Sequence, residues 1–241
     1  LPNRERRLKK RKNPQPENNE NIVALPKSEE QMTDNQALQM KFQELVERKW
    51  DLPAIESRCR TFKEKGIPRK ALNAAEIIAN RLQILNRVQR RGEEYNFFAG
   101  NCARSAALAV MEEFGFGSME IIKALSPFPG FGSTGWMCGG VSGGLIVLGL
   151  FCGSEDLQDL PAMRNSIMAA KQFMARFEAE VGAVTCRKIQ EDVVFGRYMD
   201  PGAGPQNMKA FEAAHGFQKC SLLPGIGARI AAEIIIESMG K

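Results

Sequence analysis

Apolar residues recur along most of this chain at helical spacing. Leu38, Phe42, Leu45 and Val46 share one face behind a candidate cap at Thr33 or Asp34, and Pro53 is expected to stop that run. A second, short helix is expected over 54–65, closed by Gly66 and Pro68. Leu72, Ala75, Ile78, Ala79, Leu82, Leu85 and Val88 define a third over about 69–91, with Gly92 as its stop. The same period continues over 101–114, 138–151, 160–181 and 226–239, while Gly and Pro cluster at 126–136 and 196–206. Glu233 to Glu237 alone would pass as a strand, and its surroundings are helical. The pattern predicts an all-α protein, a helical bundle with a glycine-rich central helix and an extended N-terminal arm.

The arm covers residues 1–33, which are polar and carry Pro2, Pro14, Pro16 and Pro26. Such a segment buries too little apolar surface to offset its ordering entropy. The expected organisation is this basic arm, a helical segment over 34–92 and a cysteine-bearing module over 93–241.

Charge sharpens that division. The chain has 241 residues and a formal net charge of +5, yet residues 1–12 alone carry +6, so the remainder is close to neutral. The basicity therefore suits a docking arm, gripping a partner subunit or an acidic surface, more than a nucleic-acid-binding body. At 44% hydrophobic and 25% charged, the body can bury a substantial core. Its most apolar stretch, Val141 to Phe151, is roughly half the ~20 residues a spanning helix needs, so no membrane span is expected. The basic start has no apolar run behind it, which argues against an intact secretory signal; with Leu1 at the start, one already removed stays open. The expected location is the cytoplasm.

The chemistry lies in the cysteines. There are six, with no Cys-x-x-Cys pair, and a single histidine, which excludes His-rich metal sites and covalent haem attachment. Cys102, Cys138, Cys186 and Cys220 fall at or beside expected helix ends, Cys186 at the end of the long helix. Unpaired amides at a helix N-terminus favour anionic sulfur, and Cys102 and Cys138 are the best placed for that. The run Cys138-Gly139-Gly140-Val141-Ser142-Gly143-Gly144 puts four glycines into two turns, at about 1 kcal/mol each in helix propensity. Close approach of a cofactor or of another helix would offset that; small-residue packing in the core would as well.

Cys-Gly-Gly-x-x-Gly, preceded by Asn101-Cys102-Ala103 and followed by Val147-Leu148-Gly149-Leu150, resembles the C-GCAxxG-C-C family of redox-active proteins. Phe177 to Gly182 leading into Cys186-Arg187 looks like that family's third element, and Cys220 like its fourth cysteine. The likeness covers about residues 95–240, with Gly140 where alanine is usual and a longer loop from Glu191. It implies a redox role with Cys102, Cys138, Cys186 and Cys220 as iron–sulfur ligands. The module is also similar to the cluster-bearing part of split-Soret cytochrome c, whose haem-attachment motif this chain lacks. Four thiolates from separate helices can hold a two-iron two-sulfur or a four-iron four-sulfur cluster. The implied function is electron transfer, as a carrier or redox subunit working with a redox partner protein, in a homo-oligomer or larger complex joined through the arm.

Other readings stay open from the residues alone. The four cysteines would also serve thiol–disulfide chemistry without metal, a zinc site, or the core. Cys152 reads as core and Cys59 as incidental. His215, five residues before Cys220, is a further candidate ligand or a plain loop histidine. Arg104 and Arg187 lie within two residues of a motif cysteine, where they would stabilise thiolate or simply face solvent. Tyr95, Phe97, Phe98, Phe128, Phe131 and Trp136 would form a dry shell around a cluster, or part of a core. Leu223-Pro224-Gly225-Ile226-Gly227 resembles the turn of a helix-hairpin-helix, which with the basic arm makes nucleic-acid binding the disfavoured alternative. No nucleophile with its base, paired-carboxylate motif, P-loop or dinucleotide fingerprint stands out, so a carrier is favoured over an enzyme.

Overall fold

The computed structural model describes residues 29–240, with side chains from Gln36 onward. The chain folds as helices α1 (Glu29–Glu47), α2 (Leu52–Lys65), α3 (Ala74–Ala79), α4 (Arg81–Ala99), α5 (Cys102–Phe114) and α6 (Met119–Ala124). There follow a single irregular turn, α7 (Gly130–Ser133), then α8 (Gly139–Cys152), α9 (Leu160–Val181), α10 (Cys186–Ile189), α11 (Pro205–Ala213), α12 (Gly216–Cys220) and α13 (Leu222–Met239). A π-helical turn at Gln190–Val194 extends α10, and a 3-10 turn at Pro201–Ala203 precedes α11. Among the described residues the only extended pairing is an isolated antiparallel bridge between Met137 and Thr185. The all-α architecture is as expected. Among the described residues no helix is long and apolar enough to cross a membrane.

Several boundaries differ from those the sequence suggests. α1 begins at Glu29, so Thr33 and Asp34 lie inside it, and the part of the expected arm at 1–28 lies outside the described residues. Pro53 stops nothing: it sits in the first turn of α2, where a missing N–H costs little, behind an Asp51 side chain that caps Ala54. The expected third helix is two: the Asn73 side chain accepts from the Glu76 amide at 3.3 Å to start α3, and the Asn80 amide and side chain both donate to the Glu76 carbonyl, closing it before α4. Gly92 lies within α4 rather than ending it; its bare Cα faces the backbone of Pro224 and Gly225.

α13 is the hub. Thirteen of its residues, from Leu222 to Ile236, are buried, and it packs against α4, α5, α8 and α9. A helix enclosed in this way is apolar around most of its circumference rather than along one stripe. This overturns the helix-hairpin-helix reading. Residues 223–227 form no turn: Gly225 and Gly227 lie in continuous buried helix, where Gly227 meets the Gly140 carbonyl and a Cβ on Gly140 would stand 2.6 Å from the Leu223 carbonyl oxygen. The glycines of α8 thus let two backbones touch, and packing at this contact offsets their poor helix propensity. The polar edge of α13 is tied down by Arg176, whose guanidinium donates to both Glu237 oxygens at 3.0 and 2.7 Å.

Candidate functional site

Three of the four motif cysteines open helices. Cys102 begins α5 behind Asn101, whose side chain accepts from the Arg104 amide at 3.1 Å. Cys138 is the cap residue of α8. Gly182, in the left-handed region at φ 90°, ends α9 as its position suggests, and Cys186 beyond it begins the short α10. Cys220 is the last residue of α12, one residue before Ser221 leads into α13.

Local pairing brings these segments together. The Cys138 amide donates to the Val184 carbonyl at 2.9 Å, the Arg187 amide to Gly135 at 2.9 Å, and the Cys186 amide to Trp136, on either side of the Met137–Thr185 bridge. That zips the Cys138 loop to the Cys186 loop. Cys102 is brought in by Gly139, since any side chain there would overlap the Cys102 sulfur. Cys220 is held through its neighbour Ser221, which accepts from Asn96 of α4 at 3.1 Å and donates to the Phe217 carbonyl at 2.7 Å.

Cys102, Cys186 and Cys220 line one cavity of about 100 Å³; Cys138 is not part of its lining but is buried within electrostatic reach of all three. Each thiol acts on others. Burial pushes the Cys102 thiol up to about 12, Cys186 adds repulsion, and the amides of Gly139, Cys102 and Ala103 work the other way. Burial raises Cys138 well above the ordinary thiol range, with repulsion from Cys102, Cys186 and Cys220 against one favourable amide at Gly140. Cys220 is raised by burial, then by Cys186 and Cys102. Cys186 is raised by burial, and the hydrogen bond from Gln190 to its sulfur at 3.6 Å opposes that. Four thiols share one region with too little positive charge to ionise together. All six cysteines are free thiols, and among the described residues no three His, Cys, Asp or Glu side chains gather closely enough to hold a single metal ion.

The surroundings are only partly those the sequence suggested. Phe211 and Phe217, packed edge to face with centroids 5.2 Å apart, line the cavity together with Tyr198 and Gln190. None of these was legible as a site residue, because all lie in the long insertion after Glu191 or beside it. Gln190 is buried and also accepts from the Met199 amide at 2.7 Å, which folds that insertion over Cys186. Of the expected aromatic shell, Trp136 is 67% exposed and Phe131 49%, while Tyr95 is turned to Glu112. Arg187 stacks on Tyr198 at 4.0 Å and pairs with Glu191 at 3.6 Å, and its charge favours the Cys186 thiolate. Arg104 lines a different cavity, beside Cys59. His215 is exposed, does not line the cysteine cavity, and starts α12 by accepting from the Lys219 amide at 2.9 Å.

Backbone strain gathers around this cavity. Gly130, Phe131, Gly132 and Ser133 all have φ between 53° and 77°, a left-handed turn in which two residues carry side chains. The third such residue among those described, His215 at φ 56°, precedes α12 and Cys220. A non-glycine residue in this region costs about 1–2 kcal/mol and persists only where the surroundings hold it. Tyr198 is one holder, its hydroxyl donating to the Ser133 carbonyl at 3.3 Å.

No curated protein and no solved structure matches the chain. Residues 100–234 match the family described as "Putative redox-active protein (C_GCAxxG_C_C)". That span begins two residues before Cys102, takes in all four clustered cysteines and ends within α13. By its glycine-lined helix, its four convergent thiols and this match, the chain belongs to the C_GCAxxG_C_C family of redox-active proteins.

Proposed function

We propose that the protein is an electron carrier or redox subunit that holds an iron–sulfur cluster on Cys102, Cys138, Cys186 and Cys220. One observation carries this reading: Cys102, Cys186 and Cys220 line one cavity, and Cys138 is buried close enough that all three oppose its ionisation. A cationic iron centre relieves that repulsion, and since a four-iron cluster takes one thiolate per iron and a two-iron cluster two, the four sulfurs need not close around one ion. The same spacing disfavours a single zinc ion. When bound, the group would supply a one-electron couple.

The chain's own residues would hold and tune it. The amides of Gly139, Ala103 and Gly140 favour anionic sulfur at Cys102 and Cys138. Gln190 positions Cys186, and Phe211 and Phe217 keep water from the cavity wall. The exposed Phe131 and Trp136, beside the Cys138 and Cys186 loops, offer a contact for a redox partner. The exposed Leu160, Met163 and Ile167 of α9 offer a contact for a second copy, with the basic arm as a further link. The reading places the protein in the cytoplasm, where thiols stay reduced.

Protein prepared without oxygen should contain iron and acid-labile sulfide, with a visible absorption band and an EPR signal in one oxidation state. Cys138→Ser should lose most of the iron, and the double variant Cys59→Ser, Cys152→Ser should keep it. Chain that takes up no iron even on anaerobic reconstitution, and whose free-thiol count changes by two or four with mild reductant, would instead be a dithiol protein.

A further inference from the structure

A second cavity, of about 260 Å³, lies away from the four cysteines, between α2, α4, α5 and α6. Its walls are largely apolar and include Phe62, Tyr95, Phe98 and Leu108, with Arg104 and Lys63 as its two cations. Arg104 has a buried Nε with no hydrogen-bond partner, and among the described residues its guanidinium has no carboxylate. The acids nearby are taken. Glu94 pairs with Arg58, Arg90 and Arg91, and Glu112 accepts from the Tyr95 hydroxyl and lies 3.7 Å from Arg91. The Cys59 thiol on the same wall feels the charge of Arg104.

A partly buried guanidinium without an anion costs desolvation energy that an apolar wall cannot return. Space beside it lined by aromatic rings fits a ligand that brings both an acid group and an apolar body. The volume is at the small end of ligand pockets, which suits a bicyclic aromatic acid rather than a nucleotide. Cys59, Phe62, Tyr95 and Phe98 precede residue 100, where the family match begins, so half of this cavity is built by helices outside that match. We infer that the cavity is a binding site for a small organic anion with an apolar body, its acid group held by Arg104 and Lys63 and its rings among Phe62, Tyr95 and Phe98.

The test is calorimetric titration of the full chain with 2-naphthoate and with its neutral isostere 2-naphthamide. The acid should bind saturably with one site per chain and at least roughly tenfold more tightly than the amide, the margin expected of a charge-assisted hydrogen bond. Arg104→Gln should remove that preference, and Arg104→Lys should keep part of it. Equal binding of acid and amide would overturn the inference, as would no binding of naphthoate at millimolar concentration. An unchanged naphthoate affinity in Arg104→Gln would place the ligand elsewhere and overturn it too. The acid-to-amide comparison is made on the unmodified chain, so it stands even if the variants fold poorly. Iron content plays no part in it, so its failure leaves the cluster reading untouched.

Discussion

The Cys102 sulfur occupies the space in which a side chain at Gly139 would lie, so the first turn of α8 is also the floor beneath the Cys102 thiol. Gly139 is required by this contact rather than by its dihedral angles. Gly139→Ala should push α5 from α8, lowering stability by about 1–3 kcal/mol through overpacking. It should also cut iron uptake. Denaturant titration and iron analysis read the two effects separately, and full iron loading in this variant would show that the contact does not position Cys102.

Gln190 joins Cys186 to the insertion that follows it. Gln190→Ala leaves the buried Met199 amide without its acceptor, at a cost of about 1–3 kcal/mol. It also removes the hydrogen bond to the Cys186 sulfur, which stabilises the more negative state of a bound centre. The midpoint potential of loaded protein should fall in the variant, measured by redox titration followed optically. A stability loss with no change in potential would confine Gln190 to a structural role.

Ser133 holds a left-handed backbone that glycine adopts freely. Ser133→Gly should stabilise the chain by about 0.5–1 kcal/mol, the relief of strain less the larger entropy of the unfolded glycine. Chemical denaturation checks the sign. A loss of stability would mean that the serine side chain contributes more than its backbone costs.

Raised thiol pKa values fix the sign of a pH effect in metal-free protein. Unfolded, the four thiols ionise near pH ~8.5, whereas burial raises all four in the folded chain, Cys138 and Cys220 well above that range. The unfolded state therefore binds fewer protons above that pH. The thiols' contribution is fully present below pH ~8.5 and is lost as pH rises, at up to about 1.4 kcal/mol per pH unit for each thiol. Denaturation midpoints should fall between pH ~8 and ~10, and a Cys138→Ser, Cys220→Ser double variant should fall less steeply.

Much of the molecule was legible from periodicity and punctuation. α9 has the boundaries its pattern and Gly182 imply, and α8 opens where the glycines follow Cys138. What failed were local rules overridden by tertiary contact. Gly92 reads as a stop, yet it is kept for its approach to Gly225. Leu223 to Gly227 reads as a turn because Pro and Gly punctuate it, but burial on all sides holds it helical, with Pro224 in the first turn. The cysteine set was legible because its residue types are rare and their chemistry narrow. Gln190, Phe211 and Phe217 were not, since common residue types gain their role only from the fold of the insertion. Arg104 was noticed for its nearness in sequence to Cys102, and the helix turns it to the opposite side.

The site is distributed over α5, α8, α10 and α12, and its last cysteine adjoins the helix on which the whole core closes. No contiguous stretch of chain contains it. A nascent or broken chain that lacks α12 and α13 can present at most three of the four thiols, without the packing that sets Gly139 under Cys102. Any centre that used all four thiols would therefore depend on α12 and α13 being packed in place, about 80 residues along the chain beyond Cys138.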